Sequence, residues 1–123
     1  MGDLSERDLA LLLDMRLAAE DALSFVQEMD EPGFLASRLH QYAVIRSLEI
    51  IGEAAGKVSD TARAGLPGVA WREMIGMRHR LIHGYAEVRI DLVWSVLQHN
   101  IKPLLARLAD VLDRASPKPP HRS

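Results

Sequence analysis

Arginine and histidine side chains gather in one short stretch of the chain. Between residues 71 and 89, four arginines stand against two glutamates, and His79 and His83 lie among them. Histidine, with an unperturbed pKa of about 6.5, suits proton transfer at neutral pH, and the guanidinium fork of arginine suits phosphate oxygens. The stretch predicts a site that moves protons beside a bound phosphate. The alternative is an exposed helix end, where His83 favours the helix dipole and the arginines are merely solvated.

The spacing of Arg78 and His83 limits how they can act together. Five residues on a regular helix correspond to about 140° of rotation and 7.5 Å of rise, so the two side chains do not share a face. Three arrangements remain open. Arg78 reaches around the helix, the last turn unwinds near Gly84, or dimerisation brings His83 of one subunit near Arg78 of the other.

A zinc site is a rival interpretation of the same stretch. His79 and His83 are four residues apart, about 40° around a helix, and this spacing occurs in zinc sites. A third ligand is required, and Glu49 or Glu53 is the available candidate. We favour a site without a metal or other cofactor.

A polar strip follows one line of the second predicted helix. Its members are spaced three or four residues apart: Tyr42, Arg46, Glu49, Glu53 and Lys57. One interpretation is a solvated edge with Glu53 and Lys57 as an i,i+4 ion pair. The other is a strip that lines a cleft beside the catalytic groups.

Helical periodicity predicts the elements that position these residues. Ser5, with Asp8 three residues later, resembles a capping box, and apolar residues recur near helical spacing as far as Met29. The predicted helices cover residues 5–29, about 34–58, about 69–83 and from about Asp91 onward, with one further turn at 61–64. Asp91 is a natural N-cap, and Pro103 is expected to kink the last helix.

These elements predict an all-α domain, an antiparallel up-and-down helical bundle of four to five helices. It occupies residues 1–115, and the proline-rich segment 116–123 is predicted to be a disordered tail. The second helix is apolar over about three quarters of its circumference by projection at 100° per residue. A second subunit is therefore expected to supply part of its cover.

Composition narrows the class of protein. The chain has 123 residues, which bounds it to one domain, and the absence of cysteine rules out disulfides and thiolate chemistry. No apolar run is long enough for a membrane span, and the acidic start is unlike a signal peptide, so we predict a cytoplasmic protein. The net charge of −2 hides nine acidic and two basic residues in 1–31, a net of −7 that leaves +5 for the remainder.

Residues 76–85, GMRHRLIHGY, resemble the motif of the HepT toxins, members of the HEPN ribonuclease superfamily: an arginine, four residues, then His-x-Tyr. Residues 48–54, LEIIGEA, follow the family's second helix, and VW at 93–94 and PLL at 103–105 resemble its last helix. The similarity covers about residues 8–113. The position after the motif arginine is commonly asparagine in the family and is His79 here.

The resemblance implies a HEPN-like fold and a metal-independent endoribonuclease of a HepT–MntA toxin–antitoxin pair, of type II or VII. The enzyme would work as a homodimer with its two motifs facing one cleft. The implied partner is a small MntA-type nucleotidyltransferase antitoxin, which silences the toxin by AMPylation of the motif tyrosine, Tyr85 in this sequence.

RNA cleavage without a metal needs a group that takes the 2′-hydroxyl proton, one that protonates the leaving oxygen, and positive charge at the phosphate. We assign acid–base work to His83 and phosphate stabilisation to Arg78. Supporting or RNA-binding roles are possible for Arg46, Glu49, Glu53, His79 and Arg80. From a different class, the alternative is a catalytically inactive dimeric module that uses the basic turn only to hold nucleic acid or a protein partner.

Overall fold

The computed structural model describes the backbone of residues 4–83 and 89–115 and their side chains, except those of residues 82, 83 and 115. The helices are α1 Glu6–Phe25, α2 Glu31–Leu35, α3 Arg38–Lys57, α4 Asp60–Ala64, α5 Trp71–His83, α6 Ile90–Val96, a π-helical turn Leu97–Ile101, and α7 Lys102–Ala115. These described ranges contain no strand, which confirms the all-α prediction. Within them, no helix combines the length and apolarity that a membrane crossing requires. The predicted tail, residues 116–123, lies outside the described residues, and the division into one domain and a tail stays a prediction.

The start of α1 is tied to the end of α3. The Ser5 hydroxyl accepts the backbone N–H of Asp8 at 3.0 Å, which confirms the predicted cap. The Asp8 carboxylate accepts hydrogen bonds from the backbone N–H and the hydroxyl of Ser59. Ser59 is the N-cap of α4, which follows α3 directly. Since α1 begins where α3 ends, the two helices are antiparallel. The end of α1 at Phe25, rather than Met29, is a correction, because residues 26–28 form a turn closed by i→i+3 bonds such as Val26 N–H to Leu23 O.

The segment that precedes α3 corrects the predicted second helix. Phe34 does not begin that helix but lies in the separate α2, whose cap Asp30 accepts the N–H of Gly33 at 2.9 Å. A second cap, Ser37, accepts the N–H of His40 and begins α3. Two consecutive N-caps make two helices. Phe34 is fully buried, and its ring centroid lies 5.3 Å from that of Trp94, with the two rings tilted by 39°.

The central helix α3 packs against both α1 and α5. Of the nine apolar residues that gave α3 its wide hydrophobic surface, six are buried: Val44, Leu48, Ile51, Ala54, Ala55 and Val58. Three are partly buried: Ala43, Ile45 and Ile50. The expectation that the chain's own helices leave much of α3 uncovered is wrong for most of this surface. Its apolarity does not require a second subunit.

The last long helix changes its winding midway. Pro103 has no N–H to offer the carbonyl four residues earlier, and the π-helical turn Leu97–Ile101 lies just before it. The wider turn keeps Val93, Leu97 and Ile101 on one buried face at steps of four. The predicted N-cap at Asp91 is wrong. The helix begins at Ile90, and the Asp91 carboxylate accepts a 2.8 Å hydrogen bond from Arg89, which lowers the pKa of Asp91.

Candidate active site

Helix α5 carries the predicted catalytic stretch, and its core-facing side chains fix its rotation. Met74, Met77 and Leu81, at helical spacing, are buried. The predicted range, 69–83, is confirmed to within two residues at its start and ends at His83 as expected. Because Arg78 is four residues after Met74, it lies at the edge of the buried face and is partly buried itself.

Arg63 holds the start of α5 against the end of α3. Its guanidinium donates to the carbonyls of Val58, Ala55 and Gly56 at 3.1 Å each, which satisfies acceptors that the end of α3 leaves open. The carbon atom Cζ of this guanidinium lies 5.9 Å from the ring centroid of Trp71, the first residue of α5. One side chain therefore bridges the two helices beside their connection.

Helices α3 and α5 approach each other closely at Gly52. A Cβ atom at this position would lie 2.3 Å from Cβ and 3.2 Å from Cγ of Arg78, and 2.8 Å from the carbonyl oxygen of Met74. Ordinary contacts between carbon atoms are about 3.5–4.0 Å, so there is no room for a side chain. The stem of Arg78 thus lies directly on the backbone of α3, where only glycine leaves space for it.

The guanidinium of Arg78 has a buried donor without a partner. Its Nε is shielded from solvent and has no hydrogen-bond acceptor among the residues that the structure describes. A buried donor left unpaired costs about 1–3 kcal/mol. With Nε enclosed, the terminal Nη groups are the part of this side chain that can contact a phosphate.

The predicted polar strip on α3 flanks this contact in sequence, since Glu49 and Glu53 lie on either side of Gly52. Within the strip, Arg46 pairs with Glu49 at 3.4 Å and Glu53 with Lys57 at 3.7 Å. Glu49 is 22% exposed and Glu53 46%. The exposed Glu53–Lys57 pair contributes about 0.2–1 kcal/mol. The interpretation that this strip lines a cleft stays a prediction.

The other basic residues of α5 whose side chains the structure describes lie on its solvent side. His79 and Arg80 are both exposed, and the Nη1 atom of Arg80 lies 3.5 Å from the position of a Cβ on Gly76, one turn earlier. Arg72, near the start of the helix, is exposed as well. Arg78 is therefore set apart from its basic neighbours because it packs against α3.

The second predicted catalytic residue, His83, is placed only by its backbone. Helix α5 continues through His83. The alternative that the last turn unwinds near Gly84 falls at a residue outside the described ones and stays a prediction. The regular winding puts Arg78 and His83 about 140° apart around the axis. The His83 side chain and Tyr85 lie outside the described residues. Among the residues described, no three His, Asp or Glu side chains come together as a metal site, and the zinc alternative, which needs His83, stays untested.

Gly52 is the site residue whose role the sequence reasoning missed. Gly52 lies in the LEIIGEA segment that resembles the family's second helix, but the resemblance did not predict a packing role for it. A signal existed, because glycine inside a helix costs about 1 kcal/mol relative to alanine and, where present, often has a packing reason.

Comparison with known proteins shows the family of the chain. The family model described as "Ribonuclease HepT-like" matches residues 15–111, which include α3 and α5. The chain belongs to the HepT-like ribonuclease family.

Individual relatives agree with this family. The chain is 37% identical over 99 residues to "Putative RNase MJ1380" of Methanocaldococcus jannaschii, with 80% of this chain and 91% of that protein covered. It is 38% identical over 93 residues to "Probable ribonuclease HepT" of Thermococcus cleftensis, with 76% and 84% covered. No solved structure is significantly similar to the chain.

Proposed function

We propose that this protein is a metal-independent endoribonuclease in which Arg78 stabilises the scissile phosphate and His83 transfers protons. The observation that carries the proposal is the placement of Arg78. Its stem is fixed on α3, and it is on the same helix as the motif histidine. The family and the names of the relatives support RNA as the substrate.

The reaction needs two proton movements and one charge stabilisation. The 2′-hydroxyl loses its proton as its oxygen attacks phosphorus, and the bond from phosphorus to the 5′-oxygen breaks as that oxygen gains a proton. His83 is the proposed acid–base group, a role worth about 10²–10⁴-fold in rate. Arg78 neutralises the crowded phosphate and supplies further acceleration in a desolvated cleft.

The proposed working unit is a homodimer with a composite site. Arg78 and His83 occupy different faces of α5, so one subunit does not present both toward the same point unless Arg78 reaches around the helix. A second copy that faces α5 resolves this if each cleft combines Arg78 of one subunit with His83 of the other. Arg46, Glu49, Glu53, His79 and Arg80 are proposed to support the cleft or contact RNA.

The proposed biological role is that of a cytoplasmic toxin in a HepT–MntA pair. The partner is an MntA-type nucleotidyltransferase that adds AMP to Tyr85 and thereby silences the enzyme. The R-x4-H-x-Y pattern of residues 78–85 supports this role, because its tyrosine is two residues from the proposed proton-transfer group and AMP there would add bulk and negative charge beside it.

The decisive test is His83→Ala assayed on RNA in the presence of EDTA. The protein is first checked by intact mass for added AMP, because a modified Tyr85 would imitate inactivity. We expect the variant to lose cleavage by at least about 10²-fold while it folds and binds RNA. His99→Ala is the matched control, since His99 is an exposed histidine at the π-helical turn.

Each other outcome has a distinct meaning. Wild-type protein free of AMP that binds RNA but never cleaves it would be the inactive binding module. Cleavage that disappears with EDTA and returns with zinc would replace the proposed mechanism with the metal-dependent one.

A further inference from the structure

We infer that Gly52 is a positioning residue for the reaction: it sets the approach of α5 to α3 and thereby the place of the Arg78 guanidinium. The inference rests on the proposed function, because it concerns how Arg78 meets phosphate. It assigns a task in the site to a residue on a different helix that carries no reactive group.

The contact at Gly52 leaves little freedom for adjustment. A Cβ here would collide with Cβ of Arg78 and with the carbonyl oxygen of Met74. The first atom is bonded directly to the backbone of α5 and the second is part of it. Neither atom is the end of a flexible side chain that could swing aside. A methyl group at position 52 must therefore push α5 away from α3 or tilt it, by about 1 Å to restore ordinary contact.

Burial of the Arg78 Nε strengthens the argument. The stem of the Arg78 side chain lies in the groove that Gly52 leaves on the surface of α3, although this burial leaves the Nε donor of Arg78 unpaired. Because the groove determines where the guanidinium emerges, a shift of α5 moves the phosphate-binding group itself. Displacement of a catalytic group by about 1 Å can cost about 10²-fold in rate.

The test compares Gly52→Ala with Gly56→Ala. Gly56 is one turn later on the same helix, and a Cβ there meets nothing within 4 Å. Both substitutions replace glycine by a better helix former, a gain of about 1 kcal/mol at the interior position 52 and less at position 56 in the last turn of α3. The pair therefore separates this general effect from the contact. We expect Gly52→Ala to lower kcat about 10²-fold and Gly56→Ala to leave it unchanged.

A double-mutant cycle separates positioning from a general structural role. The measurement is the affinity for a 2′-O-methyl RNA, which binds but cannot be cleaved. If Gly52 acts through Arg78, then Gly52→Ala weakens binding in the wild type and has no further effect in the Arg78→Ala background. Equal losses in both backgrounds would contradict the inference.

A measurement on the wild type covers the case in which Gly52→Ala fails to fold. The Nε proton of Arg78, enclosed against α3, should exchange with solvent at least about tenfold more slowly than that of exposed Arg80 in arginine-labelled NMR spectra. Equal exchange rates would overturn the inference.

The two hypotheses fail in different ways. If the wild type cleaves RNA, Arg78→Ala abolishes cleavage and Gly52→Ala cleaves normally, only the role of Gly52 is refuted. If AMP-free wild type does not cleave RNA, the proposed function fails, and the positioning role fails with it.

Discussion

The link between Asp8 and Ser59 predicts a defined loss of stability when Asp8 is replaced. The carboxylate of Asp8, only 7% exposed, accepts the backbone N–H of Ser59 at 3.0 Å and its hydroxyl at 2.7 Å. The Ser59 oxygen in turn accepts the N–H of Ala62 at 3.1 Å. Asp8 and Ser59 are 51 residues apart in sequence, and their link joins the first turn of α1 to the cap of α4, at the end of the bundle where α1 begins and α3 ends.

The magnitude follows from these bonds. Hydrogen bonds to a charged group contribute about 1.5–3 kcal/mol each, and water can partly replace them because Ser59 is exposed. We expect Asp8→Ala to lower the free energy of unfolding by about 2–4 kcal/mol. Asp8→Asn keeps an acceptor for the Ser59 N–H but loses the charge and replaces the oxygen that accepts the Ser59 hydroxyl by an NH₂ donor. Because one of the two hydrogen bonds is kept, its cost should be about half as large.

The pH dependence has a definite sign. The backbone N–H of Ser59, and then its hydroxyl, hold the pKa of Asp8 below its usual 3.8, although burial acts in the opposite direction. The folded state therefore favours the ionised form. This stabilisation is complete well above the pKa of the unfolded chain and is lost as the pH falls from about 5 through the folded-state pKa.

The assay is urea unfolding of the wild type, Asp8→Asn and Asp14→Asn at pH 7, 5, 4 and 3.5. Asp14 is an exposed carboxylate on the same helix, so its variant should remain within about 0.5 kcal/mol of the wild type. The gap between Asp8→Asn and the wild type should narrow below pH 5. A gap that is absent at pH 7, or constant down to pH 3.5, would contradict the stabilising role of the ionised Asp8 carboxylate.

Two further predictions concern the site. The first mixes the Arg78→Ala and His83→Ala proteins under conditions of subunit exchange. If the cleft is composite, each mixed dimer should recover up to about half of the wild-type activity, because one of its two clefts keeps both groups. No recovery in verified mixed dimers would place both groups in one subunit. Tyr85→Phe should accept no AMP from an MntA-type nucleotidyltransferase, because it lacks the acceptor hydroxyl, and should stay active after that treatment; an AMP-sized mass increase on this variant would assign the modification elsewhere.

The sequence predicted the helices that have one clear periodicity and missed the separate helix α2. The predicted range of α5, 69–83, differs from the observed range by two residues at its start. The separate α2 was missed because Phe34 continues the apolar pattern of α3, whereas the break depends on Ser37 accepting the N–H of His40. The π-helical turn is likewise a response of the hydrogen-bond ladder near Pro103 that the residue pattern does not specify.

The site was predictable in its chemistry but not in its packing. Arg78 and His83 were chosen by residue type and motif spacing, which are properties of the sequence. The collision that a side chain at Gly52 would cause with Met74 and Arg78 depends on how closely two helices approach. The expected shortage of cover for α3 failed for the same reason, because periodicity measures how much surface is apolar but not how tightly α1 and α5 enclose it.

Arg63 has a mechanical consequence for the bundle. Arg63 donates hydrogen bonds to three carbonyls at the end of α3, and its guanidinium also lies over the ring of Trp71 at the start of α5. It therefore links the two helices across the segment that connects them. The close approach at Gly52 joins the same two helices farther along. With two points of attachment, α3 and α5 should move as one rigid body, so any adjustment to a second subunit or a strand of RNA must be made by the parts of the chain around them.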